Sequence, residues 1–211
     1  MKRVLLVSTA LIVLALSGNC FAEAAGSHFG SLTTARTLGM GHGAFGLGVG
    51  LADRTSFVGS FNYGLSKFTE GRVKLGLVDV DYGGDSEIKL SLAADFKYQF
   101  MVMDKVSNSP LDMATGAFLE FIDFDGASML QVGGHLIGSY PVLLSNGKLL
   151  SPYGRLNIRM ERYSNGGSDS EMEFGLNGGV AFEMTKTINI YGEFQIDGND
   201  GIFLGIDFRT M

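Results

Sequence analysis

The chain has 211 residues, of which 31 are Gly, 3 are Pro and none is Trp, and its formal net charge at pH 7 is −6. Glycine at this frequency argues against a helical protein, because each glycine inside a helix costs about 1 kcal/mol. The acidic balance excludes nucleic acid as an expected partner. The length predicts a single domain after any targeting segment.

Residues 1–22 have the pattern of a secretory signal peptide. Lys2 and Arg3 give a basic start, an apolar run follows over residues 4–16, and small residues precede the predicted cleavage site. The apolar run is too short to cross a bilayer as a helix. Cleavage is predicted after Ala22 or Ala24, and as late as residue 25, which leaves residues 26–211 as the mature domain.

Removal of the signal peptide leaves an acidic chain without a thiol. Cys20, the only cysteine, is lost, and 14 basic residues remain against 22 acidic ones, a formal charge of −8 when cleavage follows Ala22. An apolar run that ends in Cys20 also resembles a lipoprotein signal, but Asn19 before the cysteine argues against that alternative.

Past residue 25 the sequence has no run of 18 apolar residues, which excludes transmembrane helices. Apolar and polar residues alternate instead, most clearly over residues 88–102. Soluble strands average about five or six residues, whereas a tilted strand needs about 9 to 11 to cross a membrane. The ten predicted strands are 40–51, 57–65, 72–80, 88–102, 114–124, 130–140, 154–162, 172–184, 188–197 and 202–209.

Turn residues between these segments predict a series of adjacent hairpins. The strongest signals are Gly84-Asp85, Asn146-Gly147, Gly166-Gly167 and Gly198-Asn199. Centring the hairpins on such turns predicts the pairs Lys74 with Asp95, Leu77 with Leu92, Arg159 with Glu173 and Gly178 with Phe194, and each register can slip by two residues.

Alternation alone also suits a soluble barrel or sandwich. The long strands, the small residues on the polar face and the lack of a disulfide favour a membrane barrel with its polar face inside. Ten strands give a narrow lumen, because about eight are filled by side chains and roughly 16 to 18 open a channel. We expect Lys74–Asp95 and Arg159–Glu173 to close it. The predicted lumen charges are Arg72, Lys74, Lys89, Asp95, Lys97, Glu120, Arg155, Arg159, Glu161, Glu171, Glu173, Glu193 and Arg209.

Tyrosines near strand ends predict aromatic girdles at the two membrane interfaces. The candidates are Tyr63, Tyr98, Tyr140 and Tyr153. Residues 114–124 are the least regular segment, with Phe118 and Glu120 on one face and Leu119 and Phe121 on the other.

The whole pattern after residue 25 resembles the small outer-membrane β-barrel proteins of bacteria, the class of OmpA-like and OmpX-like barrels. The resemblance implies an all-β fold, a transmembrane antiparallel up-and-down β-barrel of about ten strands, with eight as the alternative. It also implies a place in the outer membrane of a Gram-negative envelope, with outer-membrane lipids and the assembly machinery as partners. Members usually end in an aromatic residue, whereas here three residues follow Phe208.

With both termini on the periplasmic side, as the resemblance implies, the outward connections are 52–54, 81–86, 123–128, 164–170 and 197–201. The family usually has short periplasmic turns, and residues 104–113 depart from this pattern.

The sequence offers little catalytic chemistry. His135 and Ser139 lie on one strand face roughly 13 Å apart, too far for a hydrogen-bonded dyad. Acids such as Glu171 and Glu173 are typical of lumen salt bridges. We therefore expect no catalytic residue, cofactor or metal, and the sequence predicts no oligomeric state. The first hypothesis is a barrel with an envelope-structural or minor small-solute, porin-like role. The alternatives are a barrel enzyme acting on lipid or peptide, with a His, Ser or acid cluster at its outer rim, and a surface binding protein.

Overall fold

The computed structural model describes residues 26–82, 85–103, 109–124, 127–164 and 168–210. The predicted signal peptide and the turn residues Gly84, Gly166 and Gly167 lie outside the described residues. Within these ranges the strands are β1 (Gly43–Ala52), β2 (Ser56–Gly64), β3 (Thr69–Tyr82), β4 (Asp85–Met101), β5 (Asp112–Phe124), β6 (Ala127–Ser139), β7 (Val142–Leu143), β8 (Leu149–Ser164), β9 (Ser168–Thr185), β10 (Ile188–Ile196) and β11 (Gly201–Arg209).

Ten of these strands form a closed antiparallel barrel. Each pairs with its neighbour along the chain, and the pairing of β1 with β11 closes the sheet. β6 pairs directly with β8, because the two-residue β7 only folds back onto the start of β8. Closure leaves the barrel without an open sheet edge. The prediction of ten strands is confirmed, and β7 is an addition to it.

The barrel has two ends. We name the end with the β1–β2, β3–β4, β5–β6, β8–β9 and β10–β11 connections the distal end. The opposite end, where β1 begins and β11 finishes, is the proximal end. Within the described ranges, no helix is long and apolar enough to cross a membrane.

Two of the predicted strand registers are confirmed and one is wrong. Arg159 lies opposite Glu173, and Phe194 opposite Gly178. Asp95 lies opposite Arg72 instead of Lys74. The cause is the turn, since Tyr82 pairs with Asp85 and the loop is centred one residue earlier than predicted. That shift moves the register by two residues, so Leu77 faces Leu90 instead of Leu92, and every side chain keeps its face.

The barrel carries its apolar side chains outside and its polar ones inside. In β4, Leu90 and Leu92 are exposed, whereas Ser91, Lys97 and Gln99 are buried. The same alternation surrounds the barrel with exposed Phe, Leu, Ile, Val and Met side chains, which we name the apolar belt. Its clearest members on the other strands are Phe45, Leu47, Phe57, Leu75, Leu119, Val132, Leu156, Phe174, Phe194 and Leu204. An apolar surface of this extent requires a covering of lipid or protein.

The irregular β5 follows the same rule. Phe118 and Glu120 are buried, while Leu119 and Phe121 are exposed. Phe118 points inward, where its ring lies 4.9 Å from the guanidinium carbon of Arg155. An aromatic ring on the polar face therefore explains why this segment alternates poorly in sequence.

One of the four tyrosines predicted to lie in the aromatic girdles lies inside the barrel instead. Tyr63, Tyr98 and Tyr140 are exposed on the outside. Tyr153 is buried, and its hydroxyl donates a hydrogen bond of 2.6 Å to Glu193. The prediction for Tyr153 is wrong because it lies an even number of residues from Arg155 and so shares its inward face.

A charge placed in the apolar belt should destabilise the barrel in lipid. Leu92→Arg, in the middle of β4, is expected to cost about 2–4 kcal/mol of unfolding free energy in vesicles. Leu143→Arg, in the short β7 at the proximal end, should cost about 0–1 kcal/mol. Denaturant titration of the two variants in vesicles measures the difference. Equal costs would mean that Leu92 does not face lipid.

Candidate functional site

Residues 26–42 pass through the inside of the barrel before β1 begins, and we name them the lumen segment. At the distal end, the Gly26 carbonyl accepts a hydrogen bond of 2.7 Å from Gln131, and the Ser27 N–H donates to Asp197 at 3.1 Å. At the proximal end, the Leu38 N–H donates to Glu70 at 2.9 Å. The segment therefore crosses the lumen from the distal to the proximal end and reverses direction to enter β1.

Lumen carboxylates bind backbone N–H groups of the lumen segment. Glu120 accepts hydrogen bonds from the His28 N–H at 2.7 Å and the Ser27 hydroxyl at 3.0 Å. Glu193 accepts from the N–H groups of Ser31 at 2.6 Å and Leu32 at 2.8 Å. Hydrogen bonds to charged groups contribute about 1.5–3 kcal/mol each. These carboxylates therefore hold mainly the main chain of the lumen segment, and Glu120 also binds the Ser27 side chain.

Lumen cations bind the backbone carbonyls of the same segment. Three basic side chains from β3 and β4 do so. The contacts are Lys74 to Gly30 at 2.8 Å, Arg72 to Ser31 at 2.7 Å, and Lys97 to Thr34 at 3.0 Å and Arg36 at 2.9 Å. The wall of the lumen thus supplies both donors and acceptors to one extended peptide.

An apolar anchor fixes the register of the lumen segment. Phe29 is fully buried, in a cluster with Val58, Val78, Val80, Ile122 and Met129. Gly76 leaves room for the ring, since a Cβ at that position would lie 2.4 Å from Phe29 Cε1. Nearer the proximal end, Ala35 packs in a second buried cluster with Ala114 and Ile137.

Gly30 is a position in the middle of the lumen segment where a side chain should be poorly tolerated. Its φ is +61°, and a Cβ there would lie 2.8 Å from the ring of Phe203. Gly30→Val should loosen the segment by about 2–4 kcal/mol, because left-handed backbone strain and overpacking add. Faster protease cleavage within residues 26–42 of the folded barrel measures this. Gly178→Ala is the control, as its Cβ would meet nothing within 4 Å.

The structure divides the predicted lumen charges into two groups. Most are buried inside the barrel, namely Arg72, Lys74, Lys97, Glu120, Arg155, Arg159, Glu161 and Glu193. Asp95 joins them, with only 10% of its side chain exposed. The remaining four lie in more open positions: Lys89, Glu173 and Arg209 are half-buried, and Glu171 is exposed.

The buried charges form two ion-pair networks. Near the middle of the lumen, Arg72 donates two hydrogen bonds of 3.0 Å to Asp95, and Lys74 lies 3.7 Å from the same carboxylate. Lys97 pairs with Glu70 at 3.2 Å. Lys74 and Asp95 therefore do form the predicted ion pair, but they are diagonal neighbours on β3 and β4. Arg72, which lies directly opposite Asp95, makes the closer contact.

The second network is centred on Arg159 in β8. Its Nε lies 2.6 Å from Glu161, and its Nη1 lies 3.3 Å from Asp197. Glu173 is the cross-strand neighbour of Arg159. The predicted closure of the lumen by Arg159 and Glu173 is wrong, because the long arginine side chain reaches along β8 and across to the β10–β11 turn.

Asp197 links this network to the lumen segment. Burial raises the pKa of Asp197 from 3.8 to about 6, although Arg159 and the backbone N–H groups of Ser27 and Asn199 act in the opposite direction. Glu120 also contributes to the raised pKa. The buried carboxyl group therefore binds a proton more tightly than a carboxyl group in water.

Occupancy of the lumen by the segment should therefore depend on pH. Departure of the segment would return water to Asp197 and lower its pKa toward 3.8. The stabilisation is thus fully present below about pH 4 and is lost as pH rises through about 6. Protease cleavage within residues 26–42 should be slower at pH 5 than at pH 8. Asp197→Asn should weaken this dependence, and an opposite dependence would contradict the assignment.

Several residues of the lumen site are absent from the predicted set. Glu70, Asp112 and Asp197 are buried, and each contacts the lumen segment. Arg72, Glu120 and Glu193 point inward, and residues an even number of positions away along the same strand share that direction. Counting in steps of two from these three residues reaches Glu70, Asp112 and Asp197. The lumen segment carries no comparable signal, since residues 26–39 show no alternation.

His135 and Ser139 have separate partners inside the lumen. The Ser139 hydroxyl accepts a hydrogen bond of 3.2 Å from the Ala35 N–H. His135 stacks on Phe118 and lies 3.4 Å from Arg155 Nη2. The two side chains support the lumen packing, and this pair does not form a nucleophile and base.

Little space remains around the lumen segment. The cavity beside Phe29, Leu32 and Arg72 has a volume of about 10 Å³, enough for about one water molecule. A larger cavity of about 350 Å³ opens at the proximal end between the lumen segment, the β9–β10 turn and the end of β11. Thr37, His42, Lys186 and Arg209 are among its lining residues.

Comparisons with known proteins agree with this architecture. No family model matches the chain, and no curated protein is similar to it in sequence at a significant level. Among solved structures, the β domain of the Bordetella autotransporter BrkA superposes with a TM-score of 0.50 at 12% identity, covering 81% of this chain and 98% of that one.

Two further structures are more distant. The N-terminal β-barrel domain of Pseudomonas aeruginosa OprF gives a TM-score of 0.36 at 12% identity, covering 82% of this chain and 99% of that domain. The KdgM porin gives 0.40 at 9% identity, covering 78% and 98%. We base the assignment of the fold on the superposition with the BrkA domain, whose TM-score reaches 0.50. The chain therefore has the fold of the bacterial outer-membrane β-barrels.

Proposed function

We propose that this protein is an integral outer-membrane barrel with an envelope-structural role, closed by its own lumen segment. The observation that carries the proposal is the path of residues 26–42 through the lumen, which leaves a cavity of only about 10 Å³ beside Phe29. A minor small-solute pore is less well supported, because permeation would require the segment to move. No contact among the described residues favours the enzyme or surface-binding alternatives.

The proposed location rests on the outside of the barrel. The apolar belt suits the hydrocarbon of a bilayer, where only closed barrels and helices satisfy all their backbone groups. Export by the predicted signal peptide and insertion by the assembly machinery complete this proposal. The proximal end, which carries the end of β11, is then periplasmic, and the outer-membrane lipids are the main partners.

Two measurements test the proposal. The protein should sediment with outer membranes and migrate faster on a gel when unheated than when boiled. Purified barrels in planar bilayers should show no steady conductance. A protein that is soluble without detergent would overturn the membrane assignment, and steady conductance of the intact chain would overturn the closed lumen.

A further inference from the structure

We infer that the barrel lumen is a binding site for an extended peptide, and that a separate peptide with the same features can replace the lumen segment in it. This goes beyond the envelope-structural role, because it assigns a ligand class to the lumen. The ligand is a peptide of small residues with one aromatic anchor followed by glycine. Three observations support the inference.

The first observation is the charge balance of the lumen. Among the described residues, eight carboxylates and five basic side chains are almost completely buried inside the barrel. The carboxylates are Glu70, Asp95, Asp112, Glu120, Glu161, Glu193, Asp197 and Asp207, and the basic residues are Arg72, Lys74, Lys97, Arg155 and Arg159. Buried charges require partners. Four of these carboxylates accept backbone N–H groups from the lumen segment, and Asp112 pairs with the Arg36 side chain of the segment, so a bound peptide offsets the excess.

The second observation is that most of the polar contacts involve the main chain of the lumen segment, with side-chain contacts added by Ser27, Thr33 and Arg36. Lys74, Arg72 and Lys97 bind its carbonyls, while carboxylates bind its N–H groups. Such contacts are available to a peptide whose backbone can follow the same path, which includes left-handed φ values at Gly30 and Leu32. Selectivity comes from two positions. The Phe29 ring occupies a pocket over Gly76, which we name the ring pocket, and the space beside Phe203 admits only glycine at position 30.

The third observation is the exposed turn that joins the lumen segment to β1. It enters β1 through a turn in which Gly39 and Gly41 have φ values of +84° and +81°. Met40 in this turn is 71% exposed, and a Cβ on Gly41 would meet nothing within 4 Å. The join is therefore exposed to a protease, and an insertion after Met40 leaves the hydrogen bonds of Gly41 and His42 to Gly64 on the β1 side.

The test uses the full chain. A protease recognition sequence is inserted between Met40 and Gly41, and the protein is folded into detergent micelles before cleavage. Cleaved barrels are then incubated with a fluorescent synthetic peptide of residues 26–40. We expect the labelled peptide to enter the barrel and unlabelled peptide to compete with it. A peptide with Phe29→Ala and Gly30→Val should bind at least about tenfold more weakly.

Barrel variants provide matched controls. Gly76→Val should abolish binding of the labelled peptide, since its side chain would occupy the ring pocket, and Gly178→Ala should leave it unchanged. Heat-modifiable migration verifies that each variant is folded. Failure of the labelled peptide to bind the cleaved barrel, or equal binding of the altered peptide, overturns the inference. Conductance of the uncleaved protein tests the closed barrel separately, so the two proposals can fail independently.

Discussion

Replacing Glu193 with leucine is expected to release the lumen segment and convert the closed barrel into a conducting one. Glu193 accepts four hydrogen bonds, from the N–H groups of Ser31 and Leu32, the Tyr153 hydroxyl and the Asn177 amide. Each buried donor left without an acceptor costs about 1–3 kcal/mol. Four unpaired donors together destabilise the occupied lumen by about 4 kcal/mol or more. The open lumen, in which water can reach these donors, should then become the more stable state.

The measurement is single-channel recording in planar bilayers. The Glu193→Leu barrel should open frequently and prefer cations, because seven lumen carboxylates still exceed the five basic side chains. Glu171→Leu is the control, since Glu171 is exposed on the neighbouring strand. A variant that folds and stays closed would show that Glu193 does not retain the segment, and anion preference would contradict the charge balance.

Replacing Arg159 with methionine should cause the largest loss of stability of any single substitution in the lumen wall. The Arg159 side chain is fully buried and pairs with Glu161 at 2.6 Å and Asp197 at 3.3 Å. It also donates to the Asn157 side chain at 3.1 Å. Removing one member of a buried ion pair leaves an uncompensated charge and costs about 3–5 kcal/mol.

Denaturant unfolding in vesicles measures this loss. Arg162→Met, an exposed position three residues along the same strand, should change the unfolding free energy by less than about 0.5 kcal/mol. Adding Glu161→Gln and Asp197→Asn to Arg159→Met should recover part of the stability, because the unpaired carboxylates are then neutral. No recovery would indicate that lost packing, rather than charge, dominates at Arg159.

The architecture was predictable because a membrane barrel repeats one simple rule. Residues 88–102 alternate so regularly that strand type, length and both faces follow from the sequence. Register was less certain, since shifting the β3–β4 turn by one residue moves Asp95 from Lys74 to Arg72 without changing any face. The alternation along a strand therefore predicts which side chains point inward. It does not predict the partner of each charge, because a long side chain such as that of Arg159 can pass its cross-strand neighbour.

The lumen segment could not be predicted by the same rule. Residues 26–39 form no strand, and their partners are distant along the chain: His28 binds Glu120 across 92 residues, and Ser31 binds Glu193 across 162. No local pattern encodes such contacts. The one compositional clue is the excess of acidic residues on the inward faces, which the wall cations alone do not balance.

The central claim is that residues 26–38 lie inside the barrel, and a disulfide can test it directly. The Ala35 N–H lies 3.2 Å from the Ser139 hydroxyl, whereas the Ser56 hydroxyl binds the His28 carbonyl, seven residues away toward the distal end. With Cys20 replaced by serine, the pair Ala35→Cys and Ser139→Cys should cross-link within one chain in isolated membranes, as read by mass spectrometry. Ala35→Cys with Ser56→Cys should not. Absence of the first cross-link in a folded barrel, or equal formation of both, would contradict the claim.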